Sequence, residues 1–243
     1  MGKASRRKRE HRGAERLLED FWREAFKAEH KRAGEILASG PTMGSILEVG
    51  RAACEFADFT IGQVKQEFEP ASPIACRPGC AECCLVEVLA TAPEVFYVAT
   101  DLQTRPLPLD LSTVRQRVTA VAEKTIHLNA QQRADAKVAC PLLDDSRCIA
   151  YPARPLTCRG MNSVTPGGCR GDDTMIFGPQ KRIADGLLAG LSAALVEAEL
   201  DGNVYELAIA LSIALETPDA IAKWLAGEPL FAPALRGFAR AAI

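Results

Sequence analysis

The chain has 243 residues, 48% of them hydrophobic, and a formal net charge of −2, enough for one substantial core or two small ones and no global field drawing it to nucleic acid or an anionic membrane. Aromatic residues make up only 6%, and the wealth of Ala and Leu suits helices better than sheets, so the expected fold class is mainly α. No apolar stretch reaches the roughly 18–20 residues needed to cross a bilayer.

The N-terminal MGKASRRKREHRG is basic with no apolar run behind it, unlike a secretory signal. Residues 1–16 read as a basic disordered tail, and 17–243 as a single helical domain. From Ala14 to Leu37 apolar residues fall at helical spacing, with Gly40 and Pro41 as the stop. A second helix is expected over Met43–Phe68, ended by Pro70 and Pro73. Cys54 lies inside it and reads as a small buried hydrophobe rather than a site residue.

The stretch Cys76-Arg-Pro-Gly-Cys80-Ala-Glu-Cys83-Cys84 is punctuated like a turn-rich loop. A short apolar run, Leu85–Ala90, follows, and Thr91-Ala-Pro-Glu94 has the form of a capping box that opens a helix. Another helix is expected after Asp110, with Leu111, Val114, Val118, Val121 and Leu128 on one side. Residues 140–179 show no sustained period and read as a long irregular segment that needs a tether. Helices resume over Ile183–Leu200 and Val204–Leu215, and Thr217-Pro218 reads as the cap of a last short one.

The cysteines carry the chemistry. Nine of them in a chain without an export signal point to the reducing cytoplasm, where closely spaced thiols are more often metal ligands than disulfides. Eight cluster in sequence: Cys76, Cys80, Cys83, Cys84, then Cys140, Cys148, Cys158 and Cys169. Thiolates are the soft ligands that zinc and iron–sulfur clusters select. The histidines, His11, His30 and His127, all lie far from these groups, which makes the expected ligand set all sulfur. Eight thiols permit two four-thiolate sites, one four-iron cluster with a spare zinc site, or one site with bystanders. Adjacent side chains tend to diverge, so Cys83 and Cys84 are expected to feed two metals or to be one ligand and one free thiol. Cys76, Cys80 and Cys83 also share the C-x3-C-x2-C spacing of radical S-adenosylmethionine enzymes. Glu82 replaces the usual aromatic, and no strand–helix alternation supports a barrel.

The later group reads Cys140-Pro-Leu-Leu-Asp-Asp-Ser-Arg-Cys148-Ile-Ala-Tyr151-Pro-Ala-Arg154-Pro155-Leu-Thr-Cys158-Arg159. Together with the Cys76–Cys84 loop, it resembles the zinc- or iron-chelating, YkgJ-type cysteine cluster family over about residues 76–170. The family pattern is C-x3-C-x2-C-C, then C-P-x-L, then C-x2-Y-x2-R-P-x2-C-R and a further cysteine, here Cys169. Arg147 stands where many members have Gly. The resemblance implies metal binding and no defined reaction. Flagellin lysine N-methylases look similar across the same cluster, so the competing class is an enzyme, an iron–sulfur oxidoreductase or a lysine methyltransferase-like protein. Catalytic residues stay unassigned. Arg154 and Arg159 are candidates to offset the charge of a thiolate-bound metal, the alternative being that each pairs with a carboxylate such as Asp144 or Asp145. A Gly-rich nucleotide loop and the H-E-x-x-H motif are both missing from the sequence.

Overall fold

A computed structural model describes residues 3–68, 73–77, 79–165 and 178–238, and within them the fold is mainly α. The longest helix, α1 (Lys3–Leu37), starts ahead of Ala14. Residues 3–13 have no apolar period to read, yet Ala, Arg, Lys and Glu are strong helix formers. Its partner is α7 (Gly178–Glu197), and the two approach closely. A Cβ at Gly186 would run into the Trp22 carbonyl oxygen, and one at Gly190 into that of Phe26.

Helix α2 (Met43–Glu67) has Thr42 as its cap, whose side chain accepts from the Ser45 amide. Cys54, on its inner side, is buried. The Thr91–Glu94 capping box is present and opens α3 (Ala92–Thr104). Asp110 caps α4 (Leu111–Thr125), and a short α5 (Ala130–Ala136) follows. The irregular segment holds a two-stranded hairpin, β2 (Leu143–Asp144) with β3 (Arg147–Cys148), and one short helix, α6 (Leu156–Gly160). Cys169 lies outside the described residues.

Two boundaries differ from the sequence expectation. The run expected to be helical from Val204 begins as a strand, β4 (Asn203–Glu206), and turns helical at α8 (Leu207–Glu216). β4 pairs with β1 (Leu89–Thr91) on one side and with β5 (Leu235–Phe238) on the other, all antiparallel. Val204 and Tyr205 are β-formers with a long-range partner, and that partner decides. The last helix, α9 (Ala220–Leu225), is capped by Asp219 rather than Thr217. No described helix is long and apolar enough to cross a membrane.

Between α1 and the rest of the core lies a buried carboxylate. Glu29 is fully buried, and both its oxygens accept from Arg32 (Nε at 3.0 Å). Desolvation outweighs that cation and lifts the carboxyl to about 6. A raised folded pKa means the folded state holds its proton longer than the unfolded chain. The stability contributed by protonation is therefore complete below pH 4.5 and lost as pH rises to about 6. Urea titrations from pH 4 to 7 should show this slope, worth up to about 2 kcal/mol. In Glu29→Gln it should lessen, the buried Glu94 and Glu206 carboxyls, also raised by desolvation, supplying the remainder. An unchanged slope in that variant would assign it to other carboxyls.

Candidate metal centre

The loop 76–84 ends in a 3₁₀ turn, Glu82–Leu85, which places Cys83 and Cys84 side by side. The second group is delivered by the β2–β3 hairpin and by α6. Cys140 precedes the hairpin, Cys148 ends β3, and Cys158 lies in the middle of α6.

Backbone bonds bring the groups together. The Cys140 amide donates to the Cys84 carbonyl at 2.7 Å, and the Ala75 amide donates to the Ser163 carbonyl at 2.7 Å. Side chains anchor the surrounding turns. Arg117 donates to the Leu143 carbonyl and pairs with Asp144 (3.1 Å), and Arg105 donates to the Ile149 carbonyl. Glu94 has a second role: its Oε2 closes the capping box on Thr91 while its Oε1 accepts the Leu156 amide at 2.7 Å. That buried carboxylate ties α3 to the first turn of the Cys158 helix. The capping box was visible in sequence; the link to Leu156, 62 residues on, was not.

Seven cysteines line one cavity of about 900 Å³: Cys76, Cys80, Cys83, Cys84, Cys140, Cys148 and Cys158. They form two tiers. Cys76 and Cys80 are exposed at the mouth, and the other five are partly enclosed. Within the inner tier, Cys158 is surrounded by Cys140, Cys148 and Cys83, while Cys84 faces Cys83, Cys140 and Cys158. Burial pushes Cys140 up to about 12 and raises Cys148 and Cys158 as well. These thiols resist ionisation until a cation is supplied.

Cys83 and Cys84 interact with one another: the Cys84 thiol supports the Cys83 thiolate, drawing Cys83 down to about 7 while Cys84 keeps its proton. Both face the same cavity.

The charge of Arg154 reaches three of the thiols, Cys83, Cys148 and Cys158. Its guanidinium lies 4.0 Å from the centre of the Tyr151 ring. Arg159 is 2% exposed and held by protein groups, donating to the Arg154 carbonyl (2.9 Å) and the Pro152 carbonyl (2.7 Å) and pairing with Asp58. Its carboxylate partner is thus Asp58 of α2 rather than Asp144 or Asp145. Lys65 and Gln180 also line the cavity, and no motif in the sequence marked them.

The donor set fits a thiophilic metal in chemistry, being all soft sulfur. Its spacing is looser. Among the described residues, no group of three or more His, Cys, Asp or Glu side chains stands close enough to hold an ion. Seven thiols around one cavity is nevertheless the pattern of a chelating centre rather than of scattered core cysteines. Residues 75–175 match the CxxCxxCC family model, described as a putative zinc- or iron-chelating domain. The cysteine segment is similar to that domain. The match spans less than half of the chain and contains all eight clustered cysteines. No curated protein and no solved structure matches the chain.

Proposed function

We propose that this protein is a cytoplasmic metalloprotein whose cysteine cavity holds an iron–sulfur cluster, with zinc as the alternative metal. The observation that carries this reading is the convergence of seven thiols on one cavity. A structural zinc closes with four thiolates, so one zinc leaves three of these cysteines without a ligand role. A cluster, or two metals, uses more of them.

Cys83, Cys84, Cys140, Cys148 and Cys158 are the inner ligand candidates, with Cys76 and Cys80 able to close over the mouth. Cys169 completes the set of eight from the sequence. Arg154 offsets the negative charge that accumulates on metal-bound thiolates and donates toward sulfur. Arg159 fixes the Arg154 backbone and the turn that carries Cys158. When bound, the metal supplies a Lewis-acidic or redox centre. The surrounding chain holds the thiols together and limits water at the inner tier. The eight described cysteines, all free thiols, fit a reducing compartment.

A second reading, an iron–sulfur oxidoreductase or a lysine methyltransferase-like enzyme, is favoured by the exposed mouth and by a volume within the range of small-molecule sites. The deciding measurement is iron and zinc per chain by elemental analysis, on protein purified without oxygen. Several irons per chain are expected. One or two zinc ions and no iron would make the centre structural, and neither metal, with every thiol free, would sink chelation as the function.

A further inference from the structure

The walls of the cysteine cavity are more cationic than a thiolate centre requires. Among the described lining residues are Lys65, Arg77, Arg147, Arg154 and Arg159, and not one carboxylate. Asp58 stands behind them, pairing with Arg159 and lying 3.9 Å from Arg154. Lys65 is close enough to Arg154 to feel its charge. Neither Arg77 nor Arg147 has an ion-pair partner among the described residues. Four thiolates on a divalent metal carry about two net negative charges. Asp58, Glu82 beside Cys83 and a thiolate-bound metal offset part of the five cations, but the cavity lining itself is positive.

Two polar groups of the lining residues are also without partners among the described residues. The Nε of Arg154 is buried with no hydrogen-bond acceptor, and the Oε1 of Gln180 is buried with no donor. Gln180 is 5% exposed, and its Nε2 is committed to the Arg159 carbonyl at 2.6 Å. A buried donor or acceptor left unpaired is costly, so both groups favour a ligand that satisfies them. Between them the lining is apolar, with Ile74, Val88, Leu142 and Leu207. A metal ion satisfies neither the Gln180 acceptor nor the apolar wall.

We propose that this cavity binds a small organic anion, a carboxylate or a phosphate ester with an apolar body, whose charged end is held by Lys65 and Arg154. A hydroxyl or amine on the same molecule would donate to Gln180 Oε1. The site shares the cavity and Arg154 with the proposed metal centre, while Lys65 and Gln180 belong to it alone, so Lys65→Gln lets the two readings fail separately.

The test titrates phenyl phosphate and phenylacetate into the full chain as purified, by calorimetry, with benzyl alcohol as the neutral control. Metal content is measured on each sample. At least one anion should bind, and its identity distinguishes the phosphate from the carboxylate. Benzyl alcohol should bind about tenfold more weakly or worse, because it lacks the charge-assisted bonds. Lys65→Gln, a change at an exposed position, should weaken the anion by about tenfold with metal content unchanged. Arg154→Gln should weaken the anion as well and, because it also removes charge facing the thiolates, lower metal content with it. Failure of both anions to bind, equal binding of benzyl alcohol, or an unchanged affinity in Lys65→Gln would overturn the proposal. Anion binding by a metal-free protein would sink the metal reading alone.

Discussion

Exchanging Cys158 or Cys140 for Ser is expected to lower metal affinity by at least about a hundredfold, while Cys76→Ser keeps most of the bound metal. A ligand loss should exceed the 10–100-fold cost of disturbing a residue that only supports a ligand. Ser preserves the size of the side chain but offers a hard oxygen that is a poor substitute for sulfur. Cys158 and Cys140 lie in the inner tier with Cys83, Cys84 and Cys148 around them, whereas Cys76 is at the exposed mouth. Metal per chain, measured during competition with a coloured chelator, separates the tiers. Full metal retention in Cys158→Ser would remove it from the ligand set. Cys83→Ser and Cys84→Ser belong in the same series. Equal losses make both of them ligands, and a loss in one alone identifies the other as a free thiol.

The second large effect lies far from the thiols. Gly190→Leu should destabilise the fold by about 3 kcal/mol or more, at the upper end of overpacking costs. The atom in the way is the carbonyl oxygen of Phe26, with the His30 amide 3.0 Å from the same point. Both are backbone, so no side-chain rotamer relieves the clash. Gly186 meets the Trp22 carbonyl in the same way one turn earlier. Gly62 has nothing within 4 Å of its would-be Cβ, and Gly62→Ala should leave stability unchanged or raise it slightly, as Ala is the better helix former. For a chain of this size, 3 kcal/mol corresponds to a fall in Tm of about 6–12 °C. A Gly190→Leu protein that melts with the wild type would mean that α1 and α7 separate readily.

Local signals in the sequence were strong where one segment decided its own structure. The end of α1, the span of α2, the Thr91–Glu94 box and the Asp110 cap are each set by residues within a turn of one another. The sheet was not legible, because β4 exists through pairing with β1, more than a hundred residues earlier, and with β5. The cysteine motifs located the cavity, since thiol spacing is chemistry written directly in the chain. What surrounds the thiols was less visible. Glu94, Lys65 and Gln180 come from three different helices, and nothing local distinguishes them from ordinary capping or surface residues. The pairing of Arg159 with Asp58 is of the same kind, joining α6 to α2 across a hundred residues.

The bond from the Cys140 amide to the Cys84 carbonyl bears on when the metal matters. Those residues are separated by 55 others, and closing a loop of that length costs a flexible chain about 3–4 kcal/mol in entropy. Here that backbone bond spans the closure, with the Ala75–Ser163 bond as a second clasp. A zinc finger recruits its metal to meet that cost and is unfolded without it. In this protein two backbone bonds carry part of that cost, so an ion on the thiols is asked for a smaller share of the folding free energy than in a zinc finger.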